Sequence, residues 1–298
     1  MLGIINTLNK QKAFTLAEIL VVIAVIGLLS SIIFAITSGT REQGKIAKGL
    51  YFSQHLHNSL GSYAVGTWNF DEGSGTTAND TSGWGSNGAL VNSPVWRCAS
   101  TDTSYTPSSQ GCSLEFNGEN SYLSIPSSQV FAVENMTISA WIKANDFAQW
   151  RGLVYIYEDA LSDYLIIRNN GTTLQLLIED DNLARVNLSP PSPGTGTWAH
   201  IVFVQDGTGW KYYENGTQET LSGTNSGYAT DHLTINSVRI GYGAWASQYF
   251  NGLIDEVRIY STALTSAQIA SRYYAGLDRL SANGLMGEKE YRERLAKI

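Results

Sequence analysis

The chain changes its hydrophobic pattern twice. From Leu16 to Ile36 almost every position is apolar, small or a hydroxyl, about the 20 residues a helix needs to span a bilayer. Lys10 and Lys12 precede this run and no acid does, which keeps the leader cytoplasmic and sends the rest outward. The next stretch places apolar residues at Ile46, Leu50, Leu56 and Leu60 among polar ones, a helical period. Gly39, Gly44 and Gly49 either weaken that helix or mark a joint. His55 and His57 do not share a helix face and read as solvated. From Val65 the pattern turns to short alternating runs broken by Gly, Asn, Asp and Ser. Strands are expected at "TWNF", "CSLEF", "SYLSI", "MTISAWIKA", "GLVYIY", "DYLIIR", "TLQLLIE", "WAHIVFVQ", "WKYYEN", "QETL", "LTINSVRIG" and "FNGLIDEVRIYS". Asn215-Gly216 supplies the positive-φ pair of a type I′ hairpin turn. Many short strands with regular turns predict a β-sandwich or jelly roll. Helix returns at "TSAQIASRYYAG", with Thr265 as N-cap and Gly276 as stop. A last amphipathic helix follows, with Leu285, Tyr291 and Leu295 as its docking side.

Composition narrows the class. The chain is 43% hydrophobic and 15% charged, with 29 Gly and 16 Tyr, a profile that suits an exported all-β domain. Leu60 to Asp278 holds 21 acidic and 9 basic residues, a balance of −12. That excludes a nucleic-acid binder, which needs clustered Lys and Arg, and suits a hard cation such as calcium. Cys98 and Cys112 form a disulfide if the domain is exported, or remain two free thiols.

Glu18 is the polar exception in the apolar run. A carboxylate within a membrane span costs on the order of 2.5–3.5 kcal/mol, so it needs a partner. "KAFTLAEILVVIAVIGLLSSI" resembles the leader and first helix of type IV pilins and pseudopilins. The resemblance implies cleavage between Ala13 and Phe14 by a prepilin peptidase and N-methylation of Phe14. It also implies that Glu18 pairs with the terminal amine of a neighbouring subunit, where two opposite charges desolvated together offset each other. The family usually carries Gly where this chain has Ala13.

"WNFDEGSGTTANDTSGWGSNGAL", "LEFNGENSYLSIP", "MTISAWIKA", "WAHIVFVQDG", "YYENG" and "FNGLIDEVRIYSTALTSAQI" together resemble a laminin-G-like, concanavalin A-like jelly roll. Such domains bind glycans or protein partners. With the first and last strands adjacent, as the resemblance implies, Asp71, Asp80, Asp255 and Glu256 become candidate calcium ligands. The other reading makes the first two turn caps and the last two loop closures. Asp180 and Asp181 mark a second acidic stretch that reads as a hairpin tip. Trp68, Trp141 and Trp198 fall in strands and read as core. Trp150, Arg151, Tyr242 and Trp245 fall in loops and form a candidate ligand rim, since an exposed ring suits the apolar face of a sugar; packing at the sandwich ends is the other reading. Glucanases of this shape carry paired carboxylates at i, i+2 and i+4 on one strand, and no strand here does. His200 reads as structural and His232 as solvated. No enzyme activity is expected.

The expected organisation is a leader (1–13), a pilin-type helix (14–63, membrane-spanning over about 14–37), a jelly roll (64–278) and a C-terminal amphipathic helix (279–298). The fold class is mainly β: a long N-terminal transmembrane helix, an antiparallel sandwich and short C-terminal helices. The expected partners are other pilin subunits, the prepilin peptidase/methyltransferase, the cytoplasmic membrane and a glycan or surface protein. The expected place is the cytoplasmic membrane and then a surface filament. A pseudopilin with a mechanical jelly roll, or a membrane-tethered glycoside hydrolase, are the alternatives.

Overall fold

The computed structural model describes residues 16–17, 19–30, 60–98, 111–126, 135–147, 150–158, 163–180, 183–225, 237–244, 248–282, 284 and 286–296. The chain divides into two compact units, Met1–Lys48 and Gly49–Ile298. In the first, residues 16–17 and 19–30 are helical (α1, residues 19–30), and the apolar side chains Leu20, Ile23 and Leu28 are exposed. No helix among the described residues is long and apolar enough to cross a membrane. Ala13, Phe14 and Glu18, and the helix expected through residues 31–59 with His55 and His57, lie outside the described residues.

The second unit is a sandwich of two antiparallel sheets. The strands are β1 (Ala64–Trp68), β2 (Thr77–Ala78), β3 (Gly88–Val91), β4 (Val95–Cys98), β5 (Cys112–Asn117), β6 (Tyr122–Pro126), β7 (Met136–Ala144), β8 (Gly152–Tyr157) and β9 (Tyr164–Asn169). They continue as β10 (Leu174–Asp180), β11 (Leu183–Ser189), β12 (Ala199–Gln205), β13 (Trp210–Glu214), β14 (Thr217–Glu219), β15 (Ser222–Asn225), β16 (Ser237–Ile240) and β17 (Asn251–Tyr260). The first sheet runs β14–β13–β12–β7–β17–β5–β4, with β1 also on β17; the second runs β15–β11–β10–β9–β8–β16–β6–β3–β2. The facing sides enclose a core built on Trp68, Phe70, Leu114, Phe116, Phe203 and Phe250. Burial of this apolar surface is the main driving force, at about 25 cal/mol per Å².

Alternation explains most of these strands. β7 coincides with "MTISAWIKA". Asn215 and Gly216 take φ of 52° and 81° between β13 and β14, the expected tight turn. Strands β2, β3, β4, β11 and β15 escape the sequence pattern. They are short or rich in polar residues, and they form because the sheets offer them partners. Cys98 and Cys112 are opposite each other on β4 and β5 and form a disulfide with S–S 2.06 Å.

The outer side of the first sheet is covered. Helix α2 (Ser266–Ala282) lays Ile269 against Val202, Val204 and Tyr260, and Tyr273, Leu277 and Leu280 against Trp141 and Trp198. Helix α3 (Glu288–Leu295) adds Tyr291 and Leu295 to the second group; Leu285 lies outside the described residues. Thr265 caps α2 as expected. Its Oγ1 accepts the Gln268 N–H, while the Gln268 Oε1 accepts the Thr265 N–H at 2.8 Å, a reciprocal capping box. Gly276 does not stop the helix. It sits inside α2 because a Cβ there would lie 2.2 Å from the Trp141 ring; its small size serves packing, not termination. Leu60 and Ala64, where the chain enters the sandwich, also pack on this outer side.

Candidate functional site

The outer side of the second sheet is different. No helix covers it among the described residues. Burial alternates along β8, with Leu153 and Ile156 in the core and Tyr155 and Tyr157 outside it. β6 and β16 repeat the pattern with Tyr122 and Arg239, and Tyr164 of β9 lies outside the core in a buried group with Ile166 and Leu177. Register brings these residues together: Arg239 is opposite Tyr155 on β8 and Ser124 on β6, and Tyr157 is opposite Tyr164. Tyr155 and Tyr157 stack with ring centroids 4.5 Å apart. Tyr242 lies 5.3 Å from both Tyr122 and Tyr249. The Arg239 guanidinium lies 4.9 Å from the Tyr242 ring, 5.0 Å from Tyr157 and 5.4 Å from Tyr122. This is a cup of half-buried tyrosines around one cation.

A second feature lies along the same strands. Trp150, 38% exposed, takes a φ of 61°, a left-handed conformation that bulky residues rarely adopt. The Arg168 guanidinium stacks on its ring at 4.3 Å. Arg168 is itself held by Gln175 Oε1 at 2.8 Å and Gln248 Oε1 at 3.3 Å, and Gln175 donates to Asn187 Oδ1 at 2.9 Å. Burial holds the Arg168 pKa below its usual range, against the raising effects of Tyr164 and Glu179. The result is an indole platform braced from beneath by a chain of polar groups.

Three of the four residues of the expected rim have a place among the described residues. Trp150 and Tyr242 join this face. Arg151 is a strut: its guanidinium donates to both Asp146 oxygens, to Gly118 O at 2.7 Å and to Tyr249 O at 3.2 Å. Trp245 lies outside the described residues, as do Asp181 and His232. Tyr122, Tyr155, Tyr157, Tyr164, Tyr249 and Arg239 were missed from sequence; the signal was the repeated tyrosine at alternate positions in "VYIY", which only the sheet joins to the others.

The carboxylates considered for calcium are engaged otherwise. Asp80 Oδ1 accepts the Thr67 and Ser82 N–H groups at 2.9 Å, and its Oδ2 accepts Ser82 Oγ at 2.7 Å and Ser86 N at 3.0 Å. That is the turn-capping arrangement. Asp255 is fully buried and accepts the Glu256 N–H at 2.7 Å. Glu256 sits at a bulge in β17 with φ 48° and binds Arg258 at 2.6 Å and Arg279 of α2 at 2.7 Å. Asp71 is partly exposed and has its own interactions. Calcium needs six to eight oxygens with free lone pairs. This donor set does not fit it, and among the described residues no three His, Cys, Asp or Glu side chains cluster as a metal site would.

Glu256 instead anchors α2 to the sandwich. Burial raises its pKa, but Arg258 and then Arg279 lower it further, to about 2. His200 is buried beside this group, stacked on Trp141 at 5.1 Å and Tyr273 at 6.2 Å. Burial drives its pKa down to about 3, outweighing the nearby Glu256. It is a neutral packing residue. A cavity of about 60 Å³ lined by Thr67, Arg258, Tyr260 and Arg272 is far below the roughly 300–1,000 Å³ of ligand pockets. The tyrosine side of the second sheet has the chemistry to hold a ligand at its surface.

Comparison with known proteins gives two family matches. Residues 8–34 match the prokaryotic N-terminal methylation motif. Residues 117–270 match the laminin-G-like family described as the concanavalin A-like lectin/glucanases superfamily. No curated protein matches the chain. Among solved structures, Domain 4 of AbnA, a GH43 extracellular arabinanase from Geobacillus stearothermophilus, in complex with arabinotriose, is 20% identical with a TM-score of 0.51. That match covers 71% of this chain and 98% of that one. The botulinum neurotoxin type G receptor binding domain is 13% identical with a TM-score of 0.51, over 71% of this chain and 51% of that one. The serotype D binding domain is 15% identical with a TM-score of 0.53, over 74% and 53%. The chain spans about half the length of those two toxin domains, and at such identities the likeness concerns the fold alone.

Proposed function

The chain belongs to the concanavalin A-like lectin/glucanases superfamily, and from that premise we propose that it is a pilin-like filament subunit that displays a glycan-binding jelly roll. The N-terminal methylation motif supports processing at Ala13–Phe14, methylation of Phe14 and assembly with other pilin subunits through Glu18. In this reading residues 1–13 are the leader, 14–63 the anchoring and filament helix, 64–278 the displayed domain and 279–298 a C-terminal helix. The subunit passes from the cytoplasmic membrane to the cell surface.

The single observation that carries the binding role is the group of half-buried tyrosines around Arg239, on the side of the second sheet that no described helix covers. α2, α3 and the chain entry at Leu60–Ala64 all lie on the opposite side of the sandwich. The tyrosines and Trp150 offer flat apolar faces, and Arg239, Gln175 and Asn187 offer polar edges, the combination that holds a sugar ring. A domain of this fold in complex with an oligosaccharide is in keeping with that role. A purely mechanical pseudopilin gives no reason to brace an indole in a left-handed conformation. A glycoside hydrolase of this shape needs a carboxylate pair flanking the scissile bond, and no strand carries acids at i, i+2 and i+4. The reading is non-enzymatic.

The test is a glycan-array screen of the detergent-solubilised chain beside its Tyr155→Ala/Tyr157→Ala variant. The expected result is saccharide binding that the variant loses while its circular dichroism stays native. Wild-type binding that survives the double substitution would place the site elsewhere.

A further inference from the structure

Resting on the reading that the tyrosine side binds saccharide, we infer that the cup around Arg239 is a subsite for a carboxylate-bearing sugar, a uronic or sialic acid residue of the bound glycan. Arg239 lies in the middle of the sheet, between Ser124 and Tyr155 in register. Three aromatic rings surround its guanidinium at 4.9–5.4 Å. Rings attract a cation but do not neutralise it. Among the described residues no carboxylate lies within ion-pair distance of Arg239, and its Nε is buried without an acceptor.

Other arginines of the sandwich are matched. Arg97 binds Glu115, Arg151 binds Asp146, and Arg258 and Arg279 share Glu256. The domain's balance is −12 between Leu60 and Asp278, yet among the described residues none of these acids forms an ion pair with Arg239. A half-buried cation with an unsatisfied N–H is a cost to the folded state unless something else supplies the counter-charge. The surrounding phenols do not supply it, since burial raises the pKa of Tyr242, outweighing Arg239. Glu179 stands opposite Tyr164 in register and, after burial, raises the pKa of that phenol. Among the described residues, then, no anion completes the cup.

The chemistry of that anion follows from its surroundings. A guanidinium fork matches the planar carboxylate with two parallel hydrogen bonds. The rings beside it accept the apolar face of the sugar that carries the carboxylate. The negative field of the whole domain repels dense polyanions such as sulfated chains or nucleic acid, but tolerates a single carboxylate delivered to the cup.

The experiment is a binding titration of the full-length chain, in detergent, on an array of carboxylated saccharides and their neutral methyl esters, with sulfated saccharides as a third arm. The wild type is expected to bind at least one carboxylated saccharide about tenfold or more tightly than its ester, and to prefer it to the sulfated arm. Arg239→Gln is expected to bring the acid-to-ester ratio near one, and Arg239→Lys to give a value between. Near-ultraviolet circular dichroism checks that each variant is folded. Equal binding of acid and ester by the wild type overturns the subsite and leaves the glycan reading standing. A ratio that Arg239→Gln does not change places the acid preference elsewhere and overturns it too. Preference for the sulfated arm overturns the carboxylate assignment. Binding to no saccharide at all overturns both this subsite and the reading it rests on.

Discussion

The Arg168 guanidinium lies 4.3 Å from the centre of the Trp150 ring and braces an indole that stands 38% exposed at a φ of 61°. Backbone strain at an exposed aromatic is a reason to look for function. Beneath the ring, a polar chain runs from Arg168 through buried Gln175 to exposed Asn187.

Trp150→Gly separates the ring from the backbone. Glycine accepts a positive φ at no cost, so the variant is expected to unfold within about 1 kcal/mol of the parent. Losing one aromatic contact of about 0.5–1.5 kcal/mol weakens glycan binding by roughly twofold to tenfold. Titration beside a denaturation curve reads both quantities. Full binding by the variant would remove the platform from the site.

Gly276→Ala inverts a usual expectation. Alanine in place of an exposed mid-helix glycine gains about 1 kcal/mol. Here the added Cβ meets the Trp141 ring at 2.2 Å, and overpacking of that kind costs about 1–3 kcal/mol. The variant is expected to melt lower than the parent. A higher melting temperature would mean that α2 does not press on Trp141.

Much of the framework was legible in the chain because alternation is a local property. "MTISAWIKA" and the Asn215-Gly216 turn could be read residue by residue. Gly276 misled because its smallness answers to Trp141, 135 positions away in the sequence, and not to its own helix. The tyrosine cup was illegible for the same reason. Tyr122, Tyr157 and Arg239 come from three strands that only the order β8–β16–β6 makes adjacent. Trp150 and Tyr242 were visible as loop aromatics, but the guanidinium under one and the rings around the other belong to the fold. For the acids, charge composition suggested a cation, whereas neighbouring N–H and guanidinium groups occupy Asp80 and Glu256.

Asp80→Ala leaves the N–H groups of Thr67, Ser82 and Ser86 without their acceptor. Lost caps of this kind cost about 0.5–2 kcal/mol each. The loss is expected to be the same with calcium and with chelator, and the parent's melting temperature is expected to ignore both. A calcium-dependent rise in the parent's melting temperature would contradict the capping role given to Asp80.

Acid should weaken the sandwich in two stages. His200 is held neutral with a folded pKa of about 3 against an ordinary value near 6.5. A depressed pKa means the unfolded chain takes up the proton first, so stability falls as pH drops below about 6.5. Glu256, depressed to about 2 by Arg258 and Arg279, holds its contribution above its ordinary value near 4.5 and loses it between there and about 2. Urea unfolding from pH 8 to 4 is expected to be flat above 6.5 and to slope below it. In His200→Gln the slope between 6.5 and 4.5 should shrink. An unchanged slope would assign the acid sensitivity to another group.

The most direct measurement is the N-terminal mass of the protein in surface material sheared from cells. A chain beginning at methylated Phe14, present in the sheared fraction, is the result predicted for a filament subunit carrying its jelly roll outward. A chain that keeps Met1 and stays with the membrane would contradict it. Ala13 would then block processing, and the sandwich would be a tethered domain without a filament.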